Sequence, residues 1–96
     1  MALYIVAHFH ANPGRGQTLG DALLAIVEPT RAEPGCVYIH LYRALGDADP
    51  FFIHSGWTDE TEFDKHAGLP HMTAFLARVD QWIDHELRAV RCSRLA

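Results

Sequence analysis

Along residues 3–10, LYIVAHFH, side chains alternate between two faces: Leu3, Ile5, Ala7 and Phe9 on one, Tyr4, Val6, His8 and His10 on the other. A period of two in β-branched and aromatic residues predicts a strand. Asn12-Pro13-Gly14 predicts a turn. The period then becomes helical, with Leu19, Ala22, Leu23, Ile26 and Val27 forming one stripe at i, i+3, i+4, i+7, i+8. Pro29 has no amide hydrogen and its ring crowds the carbonyl of Ala25, so the helix is expected to break or kink there. Glu33-Pro34-Gly35 reads as a second turn that launches a strand from Cys36 to about Ala44. The polar loop Leu45 to Pro50 joins it, as a long hairpin, to a third strand from Phe51 to Trp57. Phe51, Ile53, Ser55 and Trp57 share one side of that strand; Phe52, His54 and Gly56 take the other.

Asp59, with Glu62 three residues on, predicts a capped helix start, and Gly68 and Pro70 end that helix. Pro70 suits the first turn of a second helix, where Met72, Phe75, Leu76, Val79 and Ile83 make the apolar stripe. Residues from about Glu86 to Cys92 alternate again as a last strand, leaving Ser93 to Ala96 as a tail. The order β-α-β-β-α-β predicts a single α+β domain over residues 1–96, a ferredoxin-like antiparallel sheet with helices on one face. In the usual strand order 4-1-3-2, Cys36 and Cys92 fall on opposite edges, so free buried thiols are expected rather than a disulfide. The other sheet face would carry Val6, Tyr38, Tyr42 and Phe52, which calls for a covering partner; a symmetric dimer packed sheet on sheet supplies one.

Composition narrows the class. At 96 residues the chain is near the small end of what one core supports, and 49% hydrophobic with 21% charged fits a globular domain. A net charge of −4 with scattered Lys and Arg gives no basic patch, so no nucleic-acid partner is expected. No stretch has the ~20 apolar residues that span a bilayer, and the Ala2 to Ala7 run lacks a basic leader. A cytoplasmic protein with no membrane partner is expected. Among seven histidines, His8, His10 and His54 share a sheet face and invite a metal hypothesis; the alternative is a hydrogen-bonded layer within the dimer, and no metal is expected.

Glu33-Pro34-Gly35-Cys36 entering a strand, the strand ending in Trp57, and His66 followed by Pro70-His71 resemble the antibiotic biosynthesis monooxygenase domain family over almost the whole chain. The resemblance implies a dimeric α+β barrel. In that family several members oxidise quinols or polyketide anthrones with O2 and no cofactor, while others degrade haem or isomerise a sugar phosphate. Anthrone-oxidising members carry an Asn-x3-Trp-x5-Tyr arrangement, where this chain has Ile53, Trp57 and Phe63. Haem-degrading members use an asparagine on the first strand with a tryptophan and a histidine on the helices, and by spacing this chain offers Ala7, His66 and Leu76 there, which disfavours haem. The quinol-monooxygenase-like and isomerase-like members share a histidine nine residues after the strand-end aromatic and a later Pro-His, as His66 and His71 stand here.

These residues define an expected site for a small aromatic or phenolic substrate and O2, acting without a cofactor. His66 is the candidate base, because an imidazole titrates near neutrality. Trp57 is the candidate aromatic wall and indole donor, and His71 either holds a substrate oxygen or sits at the surface. Phe9, Ile53, Ser55, Phe63, Met72 and Phe75 are the expected lining, although such stripes also simply fill cores. A non-catalytic dimeric binding domain and a proton-moving isomerase are the alternatives.

Overall fold

The computed structural model describes residues 2–96. Four strands and three helices follow the expected order: β1 Leu3–His10, α1 Gly16–Arg31, β2 Cys36–Arg43, β3 Pro50–Trp57, α2 Glu60–His66, α3 Pro70–Leu76 and β4 Arg88–Cys92. The sheet order is β2-β3-β1-β4, and every pairing is antiparallel. This is the expected ferredoxin-like α+β arrangement. No helix is long and apolar enough to cross a membrane.

The core lies between the sheet and the helices. Ala7 and Phe9 of β1, Phe51 and Ile53 of β3 and Ile39 of β2 are buried against Leu19, Leu23, Ile26 and Val27 of α1 and Met72 and Phe75 of α3, while Ile5 packs with Leu3 and Trp57 in a second, smaller cluster. Registers Ala7↔Ile53 and Phe9↔Phe51 put these side chains on one face, as strand alternation requires. Phe9 meets Phe75 edge to face at 6.2 Å.

Three sequence expectations need correction. Pro29 does not break α1, which runs on to Arg31. Pro29 and Ala25 both lie on the exposed face, so the carbonyl that loses its partner is open to water and the helix continues through the proline. The helix closes with Ala32 N–H on the carbonyls of Glu28 and Pro29, both at 3.3 Å. The second helix stops at Leu76 instead of continuing to Ile83; a short 3-10 turn, Val79–Gln81, follows. Val79 and Ile83 still bury, because the chain docks on the end of β1 through an Ala11↔Ile83 bridge, with Asn12 N–H on Trp82 O at 2.7 Å and Asp84 N–H on His10 O at 3.0 Å. Cys36 and Cys92 are free and on opposite sheet edges as expected, but both are half-buried rather than buried.

The sheet face away from the helices carries Tyr4, Val6, His8, Tyr38, His40, Tyr42, Phe52, His54 and Val90, and Val6, Tyr42, Phe52 and Val90 are exposed. Its rings pack on one another: His8 stacks on Phe52 at 4.9 Å with planes 3° apart, and His40 on Tyr38 at 5.3 Å.

Candidate active site

The turn after α1 fixes the residue at the heart of the site. Glu33 N–H donates to Thr30 O at 3.0 Å, Glu33 O accepts from Cys36 N at 3.1 Å, and Gly35 O accepts from Thr58 N at 2.9 Å. Arg31 adds a tie from the helix end to Ile39 O at 3.0 Å. Gly35 is required for close approach: a Cβ there would lie 2.2 Å from Glu62 Cβ, so only glycine lets the turn seat against α2. Held on both sides, Glu33 points its carboxylate inward, where 8% of the side chain remains accessible.

Two histidines meet that carboxylate on one oxygen. His66 Nδ1 lies 2.7 Å and His71 Nε2 3.0 Å from Glu33 Oε2. His66 comes from the last turn of α2, whose start is capped as expected by Asp59 Oδ1 accepting from Glu62 N at 2.9 Å. The Glu62 carboxylate does not complete a reciprocal cap; it accepts from Lys65 Nζ at 3.2 Å. His71 stands in the first turn of α3, and its Nε2 is also 3.3 Å from the fully buried Thr30 Oγ1. A carboxylate accepts hydrogen bonds only, so Glu33 selects the Nδ1–H form of His66. Nε2 of His66 then carries the lone pair, and no group among the described residues occupies it.

His66 forms part of the wall of a cavity of about 200 Å³ between sheet and helices. All eight expected residues other than His71 line it: Phe9, Ile53, Ser55, Trp57, Phe63, His66, Met72 and Phe75. Among the lining residues, Ser55, His66 and the indole N–H of Trp57 are the polar side-chain groups. Trp57 is almost fully buried, with its ring 4.9 Å from the His66 ring and 5.4 Å from Phe63. Its indole N–H donates to Ser55 Oγ at 3.0 Å, so each of these two polar groups satisfies the other. The exposed Ala67, Leu76 and Ala89 lie at the cavity rim, between the helices and β4.

His71 is placed behind the wall instead of in it, bonded to Glu33 and retaining 19% side-chain exposure. Glu33 is the residue of this cluster that the sequence does not single out as a site candidate. The signal was present: Ile26, Thr30 and Glu33 continue the buried stripe of α1 at i, i+4, i+7, which puts a carboxylate in a core register. Expecting the helix to break at Pro29 hid that continuation.

Glu33, His66 and His71 offer ligand-type atoms within 4.8 Å of one another, and these could hold a divalent cation. The His66 Nδ1–H already fills that role at 2.7 Å, with His71 Nε2 at 3.0 Å from the same oxygen and 3.3 Å from Thr30 Oγ1, and a cation would have to displace the His66 proton. His8, His10 and His54 do not converge. His8 stacks on Phe52, His10 Nδ1 lies 2.7 Å from Asp84 Oδ2, and His54 Nε2 pairs with Tyr38 OH at 3.0 Å. Burial pushes the Tyr38 hydroxyl pKa up, with the neighbouring Tyr4 adding to the effect. It therefore stays protonated as a hydrogen-bond donor.

Comparison with known proteins adds sequence and shape relatives. The family described as "Antibiotic biosynthesis monooxygenase" matches residues 2–78. "Putative monooxygenase Rv0793" of Mycobacterium tuberculosis is 30% identical over 77 residues, covering 80% of this chain and 75% of that one. The solved structure of Rv0793 superposes with a TM-score of 0.93 at 25% identity, covering 100% of this chain and 97% of the other. "Putative monooxygenase YcnE" of Bacillus subtilis is 22% identical over 89 residues, 93% of this chain and 94% of its own. PA3566 of Pseudomonas aeruginosa superposes with a TM-score of 0.92 at 27% identity over 99% of this chain and 95% of that one.

Proposed function

The chain belongs to the antibiotic biosynthesis monooxygenase family, and from that premise we propose that it is a cofactor-independent monooxygenase acting on a small phenolic compound of the hydroquinone type. The observation that carries this reading is His66, held by a buried carboxylate at Nδ1, with no hydrogen-bond partner at Nε2 among the described residues and the residue itself lining an apolar cavity.

Oxygen reacts slowly with closed-shell molecules, but an electron-rich phenolate can pass it one electron. Catalysis then needs a base to make the phenolate and a dry cavity to protect it. In the proposed step the phenol O–H bond breaks, its proton goes to His66 Nε2, and the phenolate transfers one electron to O2. The resulting radical and superoxide combine in a C–O bond to give a ring peroxide. Its O–O bond then breaks as a ring C–H proton is lost, one oxygen staying on the ring and the other leaving as water. The hydroquinone itself thus supplies the electrons and ends as a hydroxyquinone. The negative charge of Glu33 at Nδ1 favours the imidazolium as it forms on His66. Trp57 supplies a flat wall for the ring; with its N–H taken by Ser55, it does not hold the substrate oxygen.

Size refines the substrate class. An apolar cavity of about 150 Å³ holds benzene, so about 200 Å³ suits one substituted ring. A three-ring polyketide anthrone would have to open the core. Ile53 and Phe63, where anthrone-oxidising relatives carry polar side chains, agree with a smaller and less polar substrate.

The protein is proposed to work as a homodimer, with the open aromatic sheet face covered by a second copy. The test is oxygen uptake with a panel of hydroquinones and catechols after chelation of metals. Uptake should survive chelation and fall by about 10²-fold or more in His66→Ala. If no panel member raises uptake above the uncatalysed rate, the monooxygenase reading fails. Turnover of such a compound under strict anaerobiosis would support the isomerase reading instead.

A further inference from the structure

A base inside an apolar cavity must dispose of the proton it takes. Of the polar groups lining this cavity, Ser55 and Trp57 are bonded to each other, which leaves His66 as the group able to carry a proton onward. Behind His66 the hydrogen bonds continue in one direction: His66 Nδ1 to Glu33 Oε2 at 2.7 Å, then Glu33 Oε2 to His71 Nε2 at 3.0 Å. Side-chain exposure is 10% at His66 and 8% at Glu33, and it is higher, 19%, at His71, the outer end of the line. His71 does not line the cavity, so its contact with Glu33 leads toward solvent.

We infer that Glu33 and His71 form a proton exit from His66 to water. This rests on the reading of His66 as a base. When Nε2 of His66 receives the substrate proton, the Nδ1–H bond breaks and an O–H bond forms at Glu33 Oε2. That O–H bond then breaks as an N–H bond forms at His71 Nε2, and His71 releases its Nδ1 proton to water. One proton enters, one leaves, and no electrons move. Thr30 makes the step possible at His71. Its hydroxyl, 3.3 Å from Nε2, donates to that nitrogen in the tautomer that can receive a proton, so the receiving form has a partner before Glu33 is protonated. His71 and Glu33 thus act on the reaction only through His66.

The experiment uses 4-nitrophenol, a single ring whose phenolate absorbs visible light, mixed with the whole protein in weak buffer containing a pH indicator. In the wild type, phenolate appearance and proton release should occur together. His66→Ala should abolish the phenolate signal; persistence of that signal would sink the base reading and leave the relay without a donor. In His71→Asn the phenolate should still form while proton release lags by at least about tenfold, and added imidazole should restore it. Release as fast as in the wild type overturns the relay while leaving the base reading intact. A ligand-free measurement keeps the inference testable if nitrophenol does not bind. Solvent exchange of the His66 Nδ1 proton, followed by NMR on histidine-labelled protein, should slow in His71→Asn. A merely structural role for His71 predicts the opposite, since loosening the site speeds exchange, and faster or equal exchange overturns the relay.

Discussion

Glu33 shapes its surroundings beyond the two imidazoles it holds. Burial pushes the Cys36 thiol pKa up, the Glu33 carboxylate pushes it the same way, and the Arg31 guanidinium opposes both. Glu33→Gln removes one of the two raising effects, so the Cys36 pKa should fall and more thiolate should exist at a given pH. Alkylation of Cys36 by iodoacetamide at mildly alkaline pH, measured in a Cys92→Ser background, is expected to be faster in Glu33→Gln. An unchanged rate would mean that the carboxylate is not charged beside the thiol. The same substitution should cost turnover about 10²-fold, because an amide no longer favours the imidazolium. Phe75 tests packing rather than chemistry: Phe75→Ala should lower stability by about 3–5 kcal/mol, read as the denaturant midpoint. A far smaller loss would indicate that the cavity beside it relaxes freely.

At the scale of elements, α2 is a short helix whose start depends on one cap and whose position depends on one glycine. Asp59→Ala should cost about 1 kcal/mol and lower Tm by roughly 4–8 °C for a domain of this size. Gly35→Ala should cost about 1–3 kcal/mol, because its new Cβ meets Glu62 and forces α2 away from the turn. That movement separates His66 from Glu33, so Gly35→Ala should lose more turnover than Asp59→Ala at matched stability. Equal losses would show that the turn and α2 are not coupled in this way. Much of this was legible in the sequence: Asp59, Gly68 and Pro70 mark helix ends by local backbone chemistry. The contact between Gly35 and Glu62 was not, since nothing local relates a turn to a helix 27 residues away.

The molecule as a whole has one face finished and one face open. The open face of tyrosines, histidines, Phe52, Val6 and Val90 is where the proposed second copy packs. Val6→Lys combined with Phe52→Lys places two charges on that face without touching the cavity lining, and light scattering should then report a monomer. A wild type that is itself monomeric at micromolar concentration would overturn the dimer.

The sequence by itself determined the element order and the strand faces, and so brought eight of the nine side chains it singled out to one cavity, because a period of two or 3.6 states which residues share a face. It also marked His66 and Trp57 as the pair to examine. Only the tertiary structure decided that Glu33 closes on His66 and His71, that Trp57 gives its hydrogen to Ser55, and that His71 stands behind the cavity wall. Those three depend on contacts between separate elements. A local pattern fixes which way a side chain faces, but the partner it meets there is set by how helix, turn and sheet pack together.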